Sequence, residues 1–328
     1  MSSTSFPFAG PVPPPASPGQ QGALPRQAQR QPHGTVLTPS VRLTLHPLPA
    51  QLAYSAVSFW EVRLPGRPAQ RTTLTKTIEL GATPEPNGAL RVSYDATPPA
   101  FQQPDLSSYE RVLLLLGDLY QRLEMRILPT GQLVDLLNEA ALHQAWAATK
   151  QELLQRSGGD DAFTKVLVQG VEQQLARPGA LLASLRLDYL FGFLWQNVYN
   201  QRFESQFRYE QPRCFPRFFA GTDLWVSERL ELLPPVAGQV ALRLSGPLDA
   251  ARTDFAAVRR QLNAEREDAG LAAGTPNQLE ALRGDYTATC HLDAATGWPV
   301  ALDASVRCYC NEEYSKEYFL RLEQLPVL

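Results

Sequence analysis

Two short runs of strict alternation joined by a turn constrain this chain more than any other feature. Leu74, Ile78 and Leu80 alternate with Thr73, Thr75, Thr77 and Glu79, and Leu90, Val92 and Tyr94 alternate with Ala89, Arg91 and Ser93. A period of two places each set on one face of a strand. Between the runs, Pro84-Glu85-Pro86-Asn87-Gly88 supplies through its Asn-Gly the positive φ of a tight turn. The pair predicts a hairpin with one buried face. One residue is out of pattern, because Lys76 interrupts the apolar side of the first run.

The same reading extends along the chain. Leu52 to Leu64 predicts a further strand, with a slip of alternation at Ala56-Val57 that suggests a bulge. Ser107 to Glu110 has the form of a capping box before the apolar run Val112 to Leu116. Met125 to Leu128, Pro129-Thr130-Gly131 and Gln132 to Leu137 read as strand, turn and strand. Three helices follow: one from Asn138 to about Arg156 with Leu142, Trp146, Leu153 and Leu154, one capped by Asp160 or Asp161, and one from Pro178 to about Gln201. The C-terminal third returns to strands at Phe203–Tyr209, Leu224–Leu233, Val240–Ser245, Tyr286–Leu292, Val300–Tyr309 and Tyr318–Leu325, with one helix from Asp249 to about Arg266 and a loop over Gly270 to Gln278.

This order predicts an α+β fold in which antiparallel strands are covered on their apolar face by three central helices and one later helix. Strands, a helix and a strand–turn–strand element with Thr-Gly in the turn occur twice, at Thr130-Gly131 and Thr296-Gly297. The chain therefore divides into a segment 1–35 and a single α+β domain over 36–328. Within the domain, pseudo-repeat halves span about 36–137 and 203–328, around a helical insert at about 138–202. Residues 1–35 contain eight of the 28 prolines, much Gln and no acidic residue. Such a composition cannot offset chain entropy by burial and predicts a disordered tail, whose P-x-x-P pairs at Pro11–Pro14 and Pro15–Pro18 could dock in an aromatic groove.

Composition removes several classes of function. Of 328 residues 44% are hydrophobic, enough for a sizeable core, and a net charge of −3 gives no general attraction to nucleic acid or anionic lipid. Phe203, Phe207, Tyr209, Phe215, Phe218 and Phe219 interleave with Arg208, Arg213 and Arg217, as in proteins that stack single-stranded nucleic acid. Glu204 and Glu210 dilute that charge, and a half-buried strand produces the same alternation, so no nucleic-acid partner is expected. Tyr189 to Gln201 is too short and too polar for a membrane span, which needs about 20 apolar residues. The opening residues show neither a basic n-region nor an apolar h-region, and the chain as written reads as cytoplasmic, with export only if its start lies elsewhere.

Reactive constellations are sparse. There is no Gly-x-Ser-x-Gly, P-loop, paired Gly-x-Gly-x-x-Gly or His-Glu-x-x-His. Of four histidines, His33 lies in the tail, His46 precedes Pro47, His143 lies on a helix beside Trp146, and His291 lies on a strand. Neutral-pH acid–base chemistry would fall to His291 with Asp293, or to Asp188, although Asp293 also suits the start of the turn Asp-Ala-Ala-Thr-Gly. Cys308 and Cys310 share a strand face and, with Cys290 and His291, invite a zinc reading, but the spacing fits no common structural zinc site. Buried thiols are the simpler assignment, and no metal or cofactor is expected.

The most apolar segment, Leu187 to Tyr199, predicts a helix sandwiched between layers. It is read as a helix lying across the sheet as core. The sharper alternative makes it the lining of an apolar cleft, and Tyr189, Phe193, Trp195 and Tyr199 are then the ligand-binding candidates.

The strings LEMRILPTGQLVDLLN, followed by the Trp146-bearing helix, and YTATCHLDAATGWPVALDA resemble uncharacterised bacterial proteins of a LolA-like half-barrel type. The resemblance spans about residues 40–328. It implies a curved, half-barrel-like antiparallel sheet with helices plugging the concave side and, in some relatives, carriage of lipid-anchored proteins or apolar ligands. Such relatives are typically exported. The expected function is thus a non-catalytic binding or assembly protein with an apolar small-molecule or protein partner. The alternatives are a hydrolase-like enzyme using His291 and Asp293, or an adaptor docked through its Pro-rich tail.

Overall fold

A computed structural model describes residues 41–326 except 103–113, 115–116, 118, 157–161, 196–197, 200–201, 204–207, 220, 235, 237, 269, 272–281 and 311–313. The tail 1–35, the capping box at Ser107–Glu110, the caps at Asp160 and Asp161 and most of the loop 270–278 lie outside the described residues.

The strands are β1 (Val41–Arg42), β2 (Leu52–Arg63), β3 (Gln70–Pro84), β4 (Leu90–Ala96), β5 (Ala100–Phe101), β6 (Arg122–Ile127), β7 (Leu133–Leu136), β8 (Arg202–Phe203), β9 (Arg208–Phe219), β10 (Thr222–Leu232), β11 (Gln239–Pro247), β12 (Arg283–Asp293), β13 (Pro299–Cys310) and β14 (Tyr314–Gln324). The helices are α1 (Glu139–Arg156), α2 (Ala162–Leu175), α3 (Ala180–Leu187), α4 (Tyr189–Leu194) and α5 (Phe255–Asp268). Twelve strands form one curved, unclosed antiparallel sheet, ordered β7-β6-β4-β3-β2-β14-β13-β12-β11-β10-β9 with β5 on the flank of β3. This is the expected α+β half-barrel-like architecture.

The first and last long strands meet in the middle of the sheet, where β14 pairs with β2 and sets Tyr318 opposite Trp60. Strict alternation carries the design: along β14, Tyr314, Lys316, Tyr318, Leu320 and Leu322 are buried. Against expectation β2 has no bulge, since its register with β3 and β14 runs unbroken from Tyr54 to Val62. The apparent slip arises because Val57, on the opposite face from Ala56, is itself half-buried.

An unclosed sheet leaves two edges with unpaired backbone groups, which invite pairing with other chains. Here β7 is only four residues long, and β9 carries Pro212 and Pro216, which cannot donate. Near the end of β9, Arg217 adopts a left-handed φ of 53° and its N–H donates to Asp223 at 2.8 Å, distorting the edge further.

The helix expected from Pro178 to Gln201 is two helices. Asp188 is extended (φ −70°, ψ 137°), and its carboxylate accepts from the Phe191 N–H at 3.2 Å. An Asp satisfies the free amides of a first turn better from outside the helix than within it, so the chain breaks there and restarts. The later helix starts at Phe255 rather than Asp249, because Asp249 folds a turn over the Ala251 and Arg252 amides and Asp254 accepts from Ala257 N–H.

Short as it is, α4 crosses the concave face. Phe191 meets Tyr94 of β4 at 5.2 Å between ring centroids, Tyr189 meets Trp60 and Tyr318 at 5.6 and 4.7 Å, and Phe193 meets Tyr286 of β12 at 6.3 Å. One turn of helix thereby ties the two halves of the sheet into one core. Aromatic pairs at such distances add about 0.5–1.5 kcal/mol each beyond their buried area.

Candidate ligand-binding site

The concave face is not completely filled. A cavity of about 190 Å³ lies between the first half of the sheet and the break between α3 and α4. Its cause is local: on β2, Ala56 and Ser58 are small residues between Tyr54 and Trp60, and the roof does not descend to meet them. The floor is completed by Leu74 and Lys76 of β3, Tyr94 of β4, and Tyr318 and Leu320 of β14. The roof is Leu185, Asp188, Tyr189, Leu190 and Phe191. Thr97, Pro99 and Phe101 beside β3, with Gly117, Tyr120 and Gln121, form the rim.

Most of this wall is apolar, and its polarity is concentrated at one point. Lys76 Nζ donates to the Tyr94 hydroxyl at 2.8 Å. Burial works against the ammonium, but Tyr94 and Asp188 outweigh it and its pKa lies above the ordinary value, so it is charged at neutral pH. Burial likewise raises the Tyr94 phenol, which stays protonated. Burial lifts the Asp188 carboxyl above the usual carboxylate range, against the pull of Lys76 and of the Phe191 and Leu190 amides. At the rim, burial and then Asp188 push the Tyr120 phenol up to about 12.

The four binding candidates from the sequence are dispersed along the face. Tyr189 lines the cavity and donates to the Pro216 carbonyl at 2.9 Å. Phe193 packs against Phe215 and Tyr286 beneath the Arg213 guanidinium, Trp195 meets Trp298 edge-on at 5.7 Å, and Tyr199 is buried with its phenol raised by burial. The cavity's polar group was legible only as a flaw, the lysine that interrupts an alternating strand.

The candidates for catalysis are apart from it, Asp188 excepted. His291 pairs across the sheet with Ala241 and Ala301. Burial raises the Asp293 carboxyl, but its carboxylate accepts from the Ala295 and Thr296 amides and the Thr296 hydroxyl, which together outweigh burial and hold its pKa below the ordinary value. His143 is exposed on α1. Cys290, Cys308 and Cys310 are buried, and burial pushes the Cys290 thiol up to about 12. Among the described residues no group of three or more His, Cys, Asp or Glu is placed to hold a metal.

No protein-family model matches the chain, and no curated protein matches it in sequence. Among solved structures it is similar, at 8% identity and a TM-score of 0.35, to one from work on lipid–protein interactions in lipovitellin, over 84% of this chain and 25% of that one. The chain thus spans about a quarter of that protein. It is also similar to an outer membrane lipoprotein-sorting protein domain from Vibrio parahaemolyticus, at 8% identity and a TM-score of 0.16, over 84% of this chain and 86% of that one. Both likenesses are confined to layout. Among the described residues no helix is long and apolar enough to cross a membrane.

Proposed function

We propose that this protein is a non-catalytic binding protein that holds a small apolar ligand between the curved sheet and its covering helices. The observation that carries this reading is the mostly apolar cavity of about 190 Å³ under the α3–α4 break, walled by large side chains of the sheet and of α4. Apolar cavities of about 150 Å³ accept a benzene-sized guest, so this one suits a ring or a short chain. Ligand sites of this kind combine apolar walls with a few placed polar groups, and Lys76 with Tyr94 has that character.

Native mass spectrometry of freshly purified protein, with organic extraction of the same sample, tests the reading. Ala56→Trp places an indole into the cavity from its floor. The expected result is an extractable adduct, or uptake of an added apolar probe, in the wild type and neither in the variant. A wild type that carries nothing and takes up no apolar probe overturns the proposal.

A further inference from the structure

Resting on that binding reading, we propose that the ligand is an apolar acid whose carboxylate is held by the Lys76 ammonium and the Tyr94 hydroxyl, while its chain or ring fills the rest of the cavity. An ammonium has three N–H donors. Among the described residues Lys76 uses one, toward Tyr94, and makes no ion pair with a carboxylate. Tyr94 accepts that bond through its oxygen and keeps its own O–H to donate. The two groups therefore present converging donors to the cavity, the pattern an anionic oxygen satisfies and a cation does not.

Asp188 is the other ionisable group facing this space, and it is already engaged. Its carboxylate accepts from the first-turn amides of α4, which answer its charge where it stands. Lys76 has the Tyr94 hydroxyl beside it but no carboxylate in direct contact among the described residues, so a ligand anion would be its first direct charge partner. A half-buried cation beside an apolar void has lost part of its hydration, and a partner anion in the same partly dehydrated space recovers more than it would in water. The volume of about 190 Å³ suits a ring or a short chain as the apolar part.

Titration calorimetry with octanoate and 1-octanol separates the head group from the chain. Wild type is expected to bind octanoate more tightly than the alcohol. Lys76→Met should weaken octanoate by about tenfold or more and leave octanol within about twofold, because a methionine keeps the length of the stem and removes the charge. Carboxyl-13C octanoate bound to wild type should stay ionised to lower pH than the free acid, and Tyr94→Phe, which keeps the ring, should reduce that shift if Lys76→Met does not fold. Equal binding of acid and alcohol by the wild type, or octanoate binding unmoved by Lys76→Met, overturns the acid assignment while the apolar-binding reading stands. Failure of both ligands to bind the wild type overturns both.

Discussion

Arg213 and Glu228 form a buried ion pair that holds α4, and hence the cavity roof, against the sheet. Arg213 Nη1 lies 3.1 Å from Glu228 Oε2, and the Gln211 amide donates to the other carboxylate oxygen at 2.6 Å. Arg213 Nη2 donates to the Gly192 carbonyl in α4 at 3.2 Å, and the guanidinium lies over the Phe193 ring at 4.6 Å. The Glu228 side chain is 1% exposed and that of Arg213 15%. Removing one partner leaves a desolvated charge, so Glu228→Leu and Arg213→Met should each cost about 3 kcal/mol or more, whereas the double variant, with both charges gone, should lie within about 1 kcal/mol of wild type. Urea unfolding of the four proteins gives the coupling energy, expected to be about 5 kcal/mol or more. Additive single effects, or a Glu228→Leu variant within about 0.5 kcal/mol of wild type, would refute the view that a mutually dependent pair fixes α4 here.

Two further outcomes follow from groups outside the cavity. Lys316 is 3% exposed beneath α5, with Glu265 at 3.8 Å, and burial holds its pKa below the ordinary value against Glu265 and Cys308. The unfolded chain then binds a proton that the folded state has lost, so wild-type stability should gain as pH rises from the folded-state value toward about 10.4. Lys316→Met should raise stability at pH 7 by about 1 kcal/mol and lose that gain in unfolding measured from pH 7 to 10; a destabilised variant contradicts the reasoning. Gly297, at φ 76° in the β12–β13 turn, leaves no room for a side chain, because a Cβ there would collide with the Thr44 carbonyl oxygen. Gly297→Ala should cost about 3 kcal/mol in thermal or urea unfolding, and a loss below about 1 kcal/mol would mean the β1 end of the chain moves freely away.

How far the sequence could be read depended on the range of the interactions involved. Alternation at Leu74–Leu80 and Leu90–Tyr94, Asn87-Gly88 in the turn, and the Thr-Gly turns at 130–131 and 296–297 are local consequences of side-chain period and backbone φ, and those strands appear as β3, β4, β6, β7, β12 and β13. The helix break at Asp188 was less legible, since the apolar run around it outweighs a single capping residue until α4 has a sheet to lie on. Nothing local announced the cavity. Lys76 and Tyr94 meet across the β3–β4 hairpin, and Asp188 of the α3–α4 junction joins them over the cavity because α4 crosses the concave face above two small residues of β2. Period and turn chemistry determine which face of each element is apolar. Which faces meet, where they fail to fill the space, and which charge is left facing that space are decided by packing between segments more than a hundred residues apart.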